Sequence, residues 1–133
     1  AGTWITSEIR AAYAHLHEMG FAHSIETWID GTLAGGLYGV AIGHMFFGES
    51  MFTRVRDASK IAFVHAVRYL ERRGFGLIDC QMHTDHLESL GARAIERADF
   101  LHHLKELIDY DEPTGRWEYS LANPQPAANV AVK

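Results

Sequence analysis

The sequence places a carboxylate and a carboxamide one residue apart in Leu77-Ile78-Asp79-Cys80-Gln81-Met82. If this apolar run is a strand, Asp79 and Gln81 share one face, while Ile78, Cys80 and Met82 share the other. Two polar groups at the end of an interior strand need partners, because unpaired burial costs several kcal/mol. Such a pair can cap a neighbouring helix or loop. It can also sit in an apolar pocket, orient an amine and accept its proton. Glu49 poses the same choice. It stands alone between Phe46-Phe47-Gly48 and Ser50-Met51-Phe52, either turned outward on a loop or held to meet a cation.

Metal chemistry is weakly supported by the nine histidines. His17-Glu18 is followed by a histidine only at position 23, so the zinc-protease spacing HExxH is missing. His83-Thr84-Asp85-His86 lacks a well-spaced third ligand, and the expectation is no metal. Cys80, the single cysteine, excludes an internal disulfide and makes a reducing, cytoplasmic compartment the default. It reads as an inert thiol, since no base lies near it in sequence. No Walker-type or dinucleotide glycine motif opens a helix.

The elements that must position these groups follow from periodicity. Ile9, Ala12, Tyr13 and Leu16 recur at helical steps, Thr6 or Ser7 can cap that helix, and Gly20 stops it. HSIETWID then alternates, with Ile25, Thr27 and Ile29 on one face and Ser24, Glu26 and Trp28 on the other. Asp30-Gly31 is a hairpin signal, and LAGGLYGVAIG resumes as a strand whose glycines suggest a bulge, a bend or close backbone approach. HMFFGESMFTR reads as a strand end broken at Gly48 and Glu49. A long amphipathic helix is expected near 57–73, burying Ala58, Ile61, Ala62, Val64 and Val67, with Gly74 ending it. FGLIDCQM is expected as an interior strand, followed by helices near Asp85–Leu90 and Arg97–Ile108 and a loosely held tail from 122 to 133. This order predicts a mixed α/β domain.

The chain has 133 residues, enough for one domain, with 47% apolar and 22% charged residues and a net charge of −5. General nucleic-acid coating does not fit that charge. No apolar run is long enough to span a membrane, and Glu8 and Arg10 interrupt what would be the core of a signal peptide, so none is expected. The charge is segregated. Acids dominate 1–53 and 79–118, whereas 54–73 carries Arg54, Arg56, Lys60, Arg68, Arg72 and Arg73 against Asp57 and Glu71. That basic stretch is either a solvated helix face or a phosphate-facing patch.

Taken in order, AYAHLHEMGFAHSIETW, GTLAGGLYGVAIG, MFFGESMF, DASKIAFVHAV, GFGLIDCQ, TDHLESLGAR and ERADFL resemble the leucyl/phenylalanyl-tRNA–protein transferases, from about Trp4 to Leu104. The resemblance implies a GNAT-like fold with a mixed, largely antiparallel sheet flanked by helices, and a catalytic domain that lacks the family's N-terminal domain. It implies transfer of leucine or phenylalanine, less readily methionine, from aminoacyl-tRNA to proteins bearing N-terminal Arg or Lys, within bacterial N-end rule degradation. No cofactor is implied. Matched residue by residue, it assigns catalysis to Asp79, Gln81 and Glu49, a donor pocket to Phe46, Met51 and Ile78, and adenosine stacking to Trp4. Arg54, Arg56 and Lys60 would then face the tRNA. Two other readings stand beside it. A GNAT acyl-CoA N-acyltransferase would need a glycine-bearing pyrophosphate loop where RVRDASK has none. A non-catalytic remnant would only bind a peptide or a partner.

Overall fold

The computed structural model describes residues 7–81, 85–110, 117, 119–122 and 128–132. Helix α1 (Ser7–Glu18) leads into strands β1 (Ala22–Ile29), β2 (Thr32–Ile42) and β3 (Met45–Thr53), then helix α2 (Ala58–Arg72) and strand β4 (Leu77–Asp79). Helices α3 (Asp85–Ser89) and α4 (Arg97–Leu107) and strands β5 (Tyr119–Ala122) and β6 (Ala128–Val132) complete it. The sheet runs β4-β3-β2-β1-β6-β5, antiparallel throughout except for the parallel β3–β4 pair. The fold is the expected mixed α/β sheet flanked by helices.

The turn chemistry holds where the sequence placed it. Asp30 and Gly31 both take positive φ, 51° and 76°, as a two-residue hairpin turn matched to strand twist demands. Gly74 at φ 82° ends α2, and the Phe75 N–H donates back to the Leu70 carbonyl. Ile25 and Thr27 are fully buried on the face toward α2, and the Thr27 hydroxyl donates to the Ala58 carbonyl at 2.8 Å. Trp117 fills the same core beside Phe46, Tyr69 and Phe75, with its ring stacked 3.7 Å from that of His23.

Four expectations are corrected. Helix α2 buries Ala58, Ser59, Ala62, Phe63, Ala66 and Leu70 instead of the expected stripe, and Ile61 and Val64 are exposed. The observed stripe follows three- and four-residue steps strictly and brings Phe63 in; the expected one was too wide. Strand β4 is a three-residue edge strand, not an interior one. Its apolar composition reflects cover from the helical layer rather than a strand on each side. Strand β3 does not end at Gly48 and Glu49 but runs on to Thr53, its pairing with β2 interrupted there by a bulge. The expected loose tail supplies β6, which pairs with β1 on one side and β5 on the other and so satisfies the outer backbone edge of β1.

The glycine-rich β2 does contain what its composition suggested. Pairing with β1 skips Ala34, the surplus residue of a bulge in β2 itself. Gly35 permits close approach: a Cβ there would lie 2.8 Å from the Ala58 Cβ and 2.9 Å from the Ser59 backbone nitrogen. Gly35→Ala is therefore expected to destabilise the chain by about 1–3 kcal/mol. Urea unfolding checks this as a lower midpoint at unchanged slope; an unchanged midpoint would contradict the tight β2–α2 seat.

Candidate active site

The residue that β3 leaves unpaired is Glu49. Tyr38 pairs with Ser50 and Gly39 with Gly48, so Glu49 is the surplus residue of a β-bulge. Because side chains alternate along a strand, one surplus residue reverses the alternation beyond it. Phe46, opposite Ala41, and Met51, opposite Leu37, thereby fall on the same face. Ile78 joins them from β4, opposite Phe46. These three residues line one cavity of about 760 Å³, which Leu37 and Phe63 also wall.

β4 pairs with β3 only as far as Phe47–Asp79, so the outer edge of β3 from Gly48 onward carries no strand partner among the described residues. Glu49 and Gln81 stand at this gap and both line the cavity. Their neighbourhood is set by a turn. After Asp79 the chain leaves the sheet, and Gln81 takes a left-handed φ of 63°. Its backbone N–H donates to Asp79 Oδ1 at 2.9 Å, and its side-chain Nε2 donates to the Gly48 carbonyl at 2.8 Å. Asp79 and Gln81 therefore do not share a strand face as the alternation predicted, because the strand ends between them. Asp79 lines a second cavity, of about 770 Å³, to which Gln81 also contributes.

Glu49 does not simply turn outward on a loop. The Tyr13 hydroxyl is hydrogen-bonded to its carboxylate, and the Tyr13 ring meets Tyr38 edge-on, with centroids 5.1 Å apart. Burial, that hydrogen bond and the Glu49 charge push the Tyr13 phenol up to about 12. Tyr38 is also raised, first by burial and then by Glu49, with Ser50 and Arg10 pulling the other way. Burial raises the Cys80 thiol as well, and the Asp79 charge adds to it, as an inert thiol requires.

Trp4 lies outside the described residues. Arg54 and Arg56 are exposed in the β3–α2 connection and line neither cavity; Lys60 reaches Asp57 at 3.8 Å on the surface. Sequence reasoning missed Tyr13 and Tyr38, because Tyr13 reads there only as part of an apolar helix face. Among the described residues, no group of three or more His, Cys, Asp or Glu could hold a metal ion, and no helix is long and apolar enough to cross a membrane.

An apolar recess edged by a carboxylate, a carboxamide and a second nearby carboxylate is a site for positioning polar reactants beside a buried apolar group. A family model described as leucyl/phenylalanyl-tRNA protein transferase matches residues 1–105, and the chain belongs to that family. Relatives bearing that name include one from Nitrosospira multiformis, 66% identical over 116 residues that cover 87% of this chain and 50% of its own length. One from Chromobacterium violaceum is 64% identical over 118 residues, covering 89% and 51%, and one from Bordetella petrii is 52% identical over 131 residues, covering 98% and 51%. The chain spans about half the length of the curated relatives it matches. Among solved structures, an aminoglycoside acetyltransferase from an uncultured soil metagenomic sample aligns at a TM-score of 0.38 and 10% identity, covering 90% of this chain and 77% of that one. That likeness carries no argument about the site.

Two readouts check the electrostatics. In an absorbance titration, the Tyr13 phenol should ionise at about 12, and Glu49→Gln should move it down toward the ordinary tyrosine value of about 10. A tyrosine titration unaffected by Glu49→Gln contradicts the contact. Asp79→Asn should make Cys80 react severalfold faster with a disulfide reagent near pH 8, since it removes a charge that disfavours the thiolate; an unchanged rate contradicts that coupling.

Proposed function

We propose that this chain carries the aminoacyl-transfer site of its family, moving leucine or phenylalanine from aminoacyl-tRNA to the α-amine of a protein beginning with Arg or Lys. The observation that carries the reading is the bond from Gln81 Nε2 to the Gly48 carbonyl. It fastens the Asp79–Gln81 turn to the bulge bearing Glu49, at the mouth of the apolar cavity. Membership of the family supports it. Methionine would be a weaker donor, the setting would be the cytoplasm, and the product would be marked for N-end rule degradation.

The donor ester is already activated, so catalysis consists mainly of holding amine and carbonyl in line. The amine nitrogen forms the new bond to the ester carbonyl carbon, the carbon–oxygen bond to the ribose breaks, and one proton passes from the amine to the departing ribose hydroxyl. Asp79 keeps a carboxylate oxygen beyond the one used by the Gln81 N–H, available to hold the amine and take its proton. The Gln81 amide oxygen can accept a further bond while its nitrogen is held by Gly48. Glu49, clamped by Tyr13, would face the basic end of the acceptor. Phe46, Met51 and Ile78 would enclose the donor side chain and select by burial, at about 1–3 kcal/mol per methylene. In this reading Arg54, Arg56 and Lys60 would lie along the tRNA backbone and Trp4 against its terminal adenosine.

Transfer of labelled leucine to an Arg-starting peptide tests the reading, with the N-terminal half of a relative supplied in trans. Asp79→Asn should lower kcat about 10²–10⁴-fold with little change in KM, whereas Met51→Ala should weaken phenylalanine use over leucine use through lost contact. Full activity in Asp79→Asn would overturn the assignment of the proton acceptor.

A further inference from the structure

β4 is the last strand on its side of the sheet, and its outer edge has no strand partner among the described residues. An uncovered strand edge presents N–H and C=O groups to whatever lies beside it. Just before β4, the Gly76 N–H donates to the His44 carbonyl on the β3 side. In a parallel ladder alternate residues turn their backbone groups to the same neighbour, so Ile78 also faces β3, while Leu77 and Asp79 face outward. The second cavity, of about 770 Å³, lies along this edge. Leu77 and Asp79 line it together with Ile78 and Cys80, side chains of both parities, as suits a groove along an edge and not one over a face. Across from β4 stand Arg93, in the irregular segment 92–96, and Arg97, at the start of α4; both are exposed. Leu107 closes the groove at one end: a Cβ on Gly76 would lie 2.7 Å from its Cδ2. At the other end the groove meets the first cavity, and Gln81 lines both.

We propose that this groove takes the main chain of the acceptor polypeptide as a short strand antiparallel to β4. The proposal rests on the aminoacyl-transfer reading and extends it from the acceptor's first residue to those behind it. Direction follows from geometry. The α-amine must reach Asp79, at the C-terminal end of β4, and only an antiparallel chain then continues along the groove past Leu77. Residue 1 lies opposite Asp79 and residue 3 opposite Leu77, with which it exchanges both N–H···O bonds. The closure at Gly76 ends the pairing there, after about three residues or roughly 10 Å of strand. Gly91, Ala92 and Ala94, with little or no side chain, leave room for a backbone beside the edge. On the far side of the added strand, Arg93 and Arg97 offer donors and no acceptors, which suits main-chain carbonyls. Their charge also keeps the acceptor's cationic first side chain out of the groove and leaves it to Glu49 at the first cavity. Pairing through the main chain accepts many side chains, as acceptors that share only their first residue require.

Transfer of labelled leucine to a peptide of arginine followed by alanines tests this, with the N-terminal half of a relative supplied in trans. N-methylation of the amide of residue 3 removes the donor to the Leu77 carbonyl and should raise the acceptor KM about tenfold. The same change at residue 4, beyond the closure, should alter KM less than about twofold. Leu77→Pro removes an outward N–H without touching the ladder to β3. It should raise the acceptor KM severalfold and leave the KM for aminoacyl-tRNA unchanged. Equal KM values for the two methylated peptides overturn the added strand, whatever Leu77→Pro does, and leave the transfer reading standing because both peptides are still used. If no Arg-starting peptide accepts leucine, the transfer reading falls and this proposal with it. Light scattering checks the other occupant of an open edge: a dimer that Leu77→Pro returns to monomer assigns the groove to a second copy and overturns the proposal.

Discussion

One surplus residue in β3 governs the site. Strand geometry assigns alternate residues to opposite faces, and by that rule Phe46 and Met51 belong on different sides of the sheet. Inserting Glu49 between the paired segments 45–48 and 50–53 changes the parity, so both side chains enter the cavity beneath α2. The same insertion bends the strand where β4 stops, and so places a carboxylate at the open edge. Composition of the recess and placement of its acid thus have a single structural cause.

The turn after β4 is the second constraint, and it is strained. A non-glycine residue held at positive φ costs on the order of 1–3 kcal/mol. Gln81 recovers part of that through two hydrogen bonds, each worth about 0.5–1.5 kcal/mol net. The return on the strain is positional: the Gln81 amide is fixed to the bulge, and Asp79 is oriented by a backbone N–H. A straight continuation of β4 would send the carboxamide along an exposed edge. The left-handed turn instead joins the polar ends of two neighbouring strands, which brings Asp79, Gln81 and Glu49 into one small region from positions 30 residues apart and more.

Much of this was legible in the sequence, for local reasons. Asp30-Gly31 and Gly74 specify backbone conformations that few other residues tolerate, so the hairpin and the end of α2 follow from them. Glycines in β2 did mark bulging, at Ala34 beside Gly35, and close approach. Phe46, Met51 and Ile78 were grouped by resemblance, and the structure places them around one cavity; the alternation rule alone would have separated two of them. What escaped was non-local. Whether β4 is central or at an edge depends on which strands pair, and the apolar run Phe75–Ile78 is compatible with either. The clamp of Tyr13 on Glu49 joins α1 to β3, with no spacing to announce it. β6 was hidden because Asn, Pro and Gln around it read as turn chemistry, although Val130 and Val132 favour extended backbone.

The parity change at Glu49 is measured most directly by nuclear Overhauser contacts of the Met51 methyl in the labelled chain. A bulge at Glu49 predicts contacts from that methyl to the ring of Phe63 on α2 and to Ile78, within the same recess as Phe46. Contacts instead to the ring of Tyr38, on the other face of β2, would mean an unbroken register, and the recess with its acid and amide rim would not exist as described.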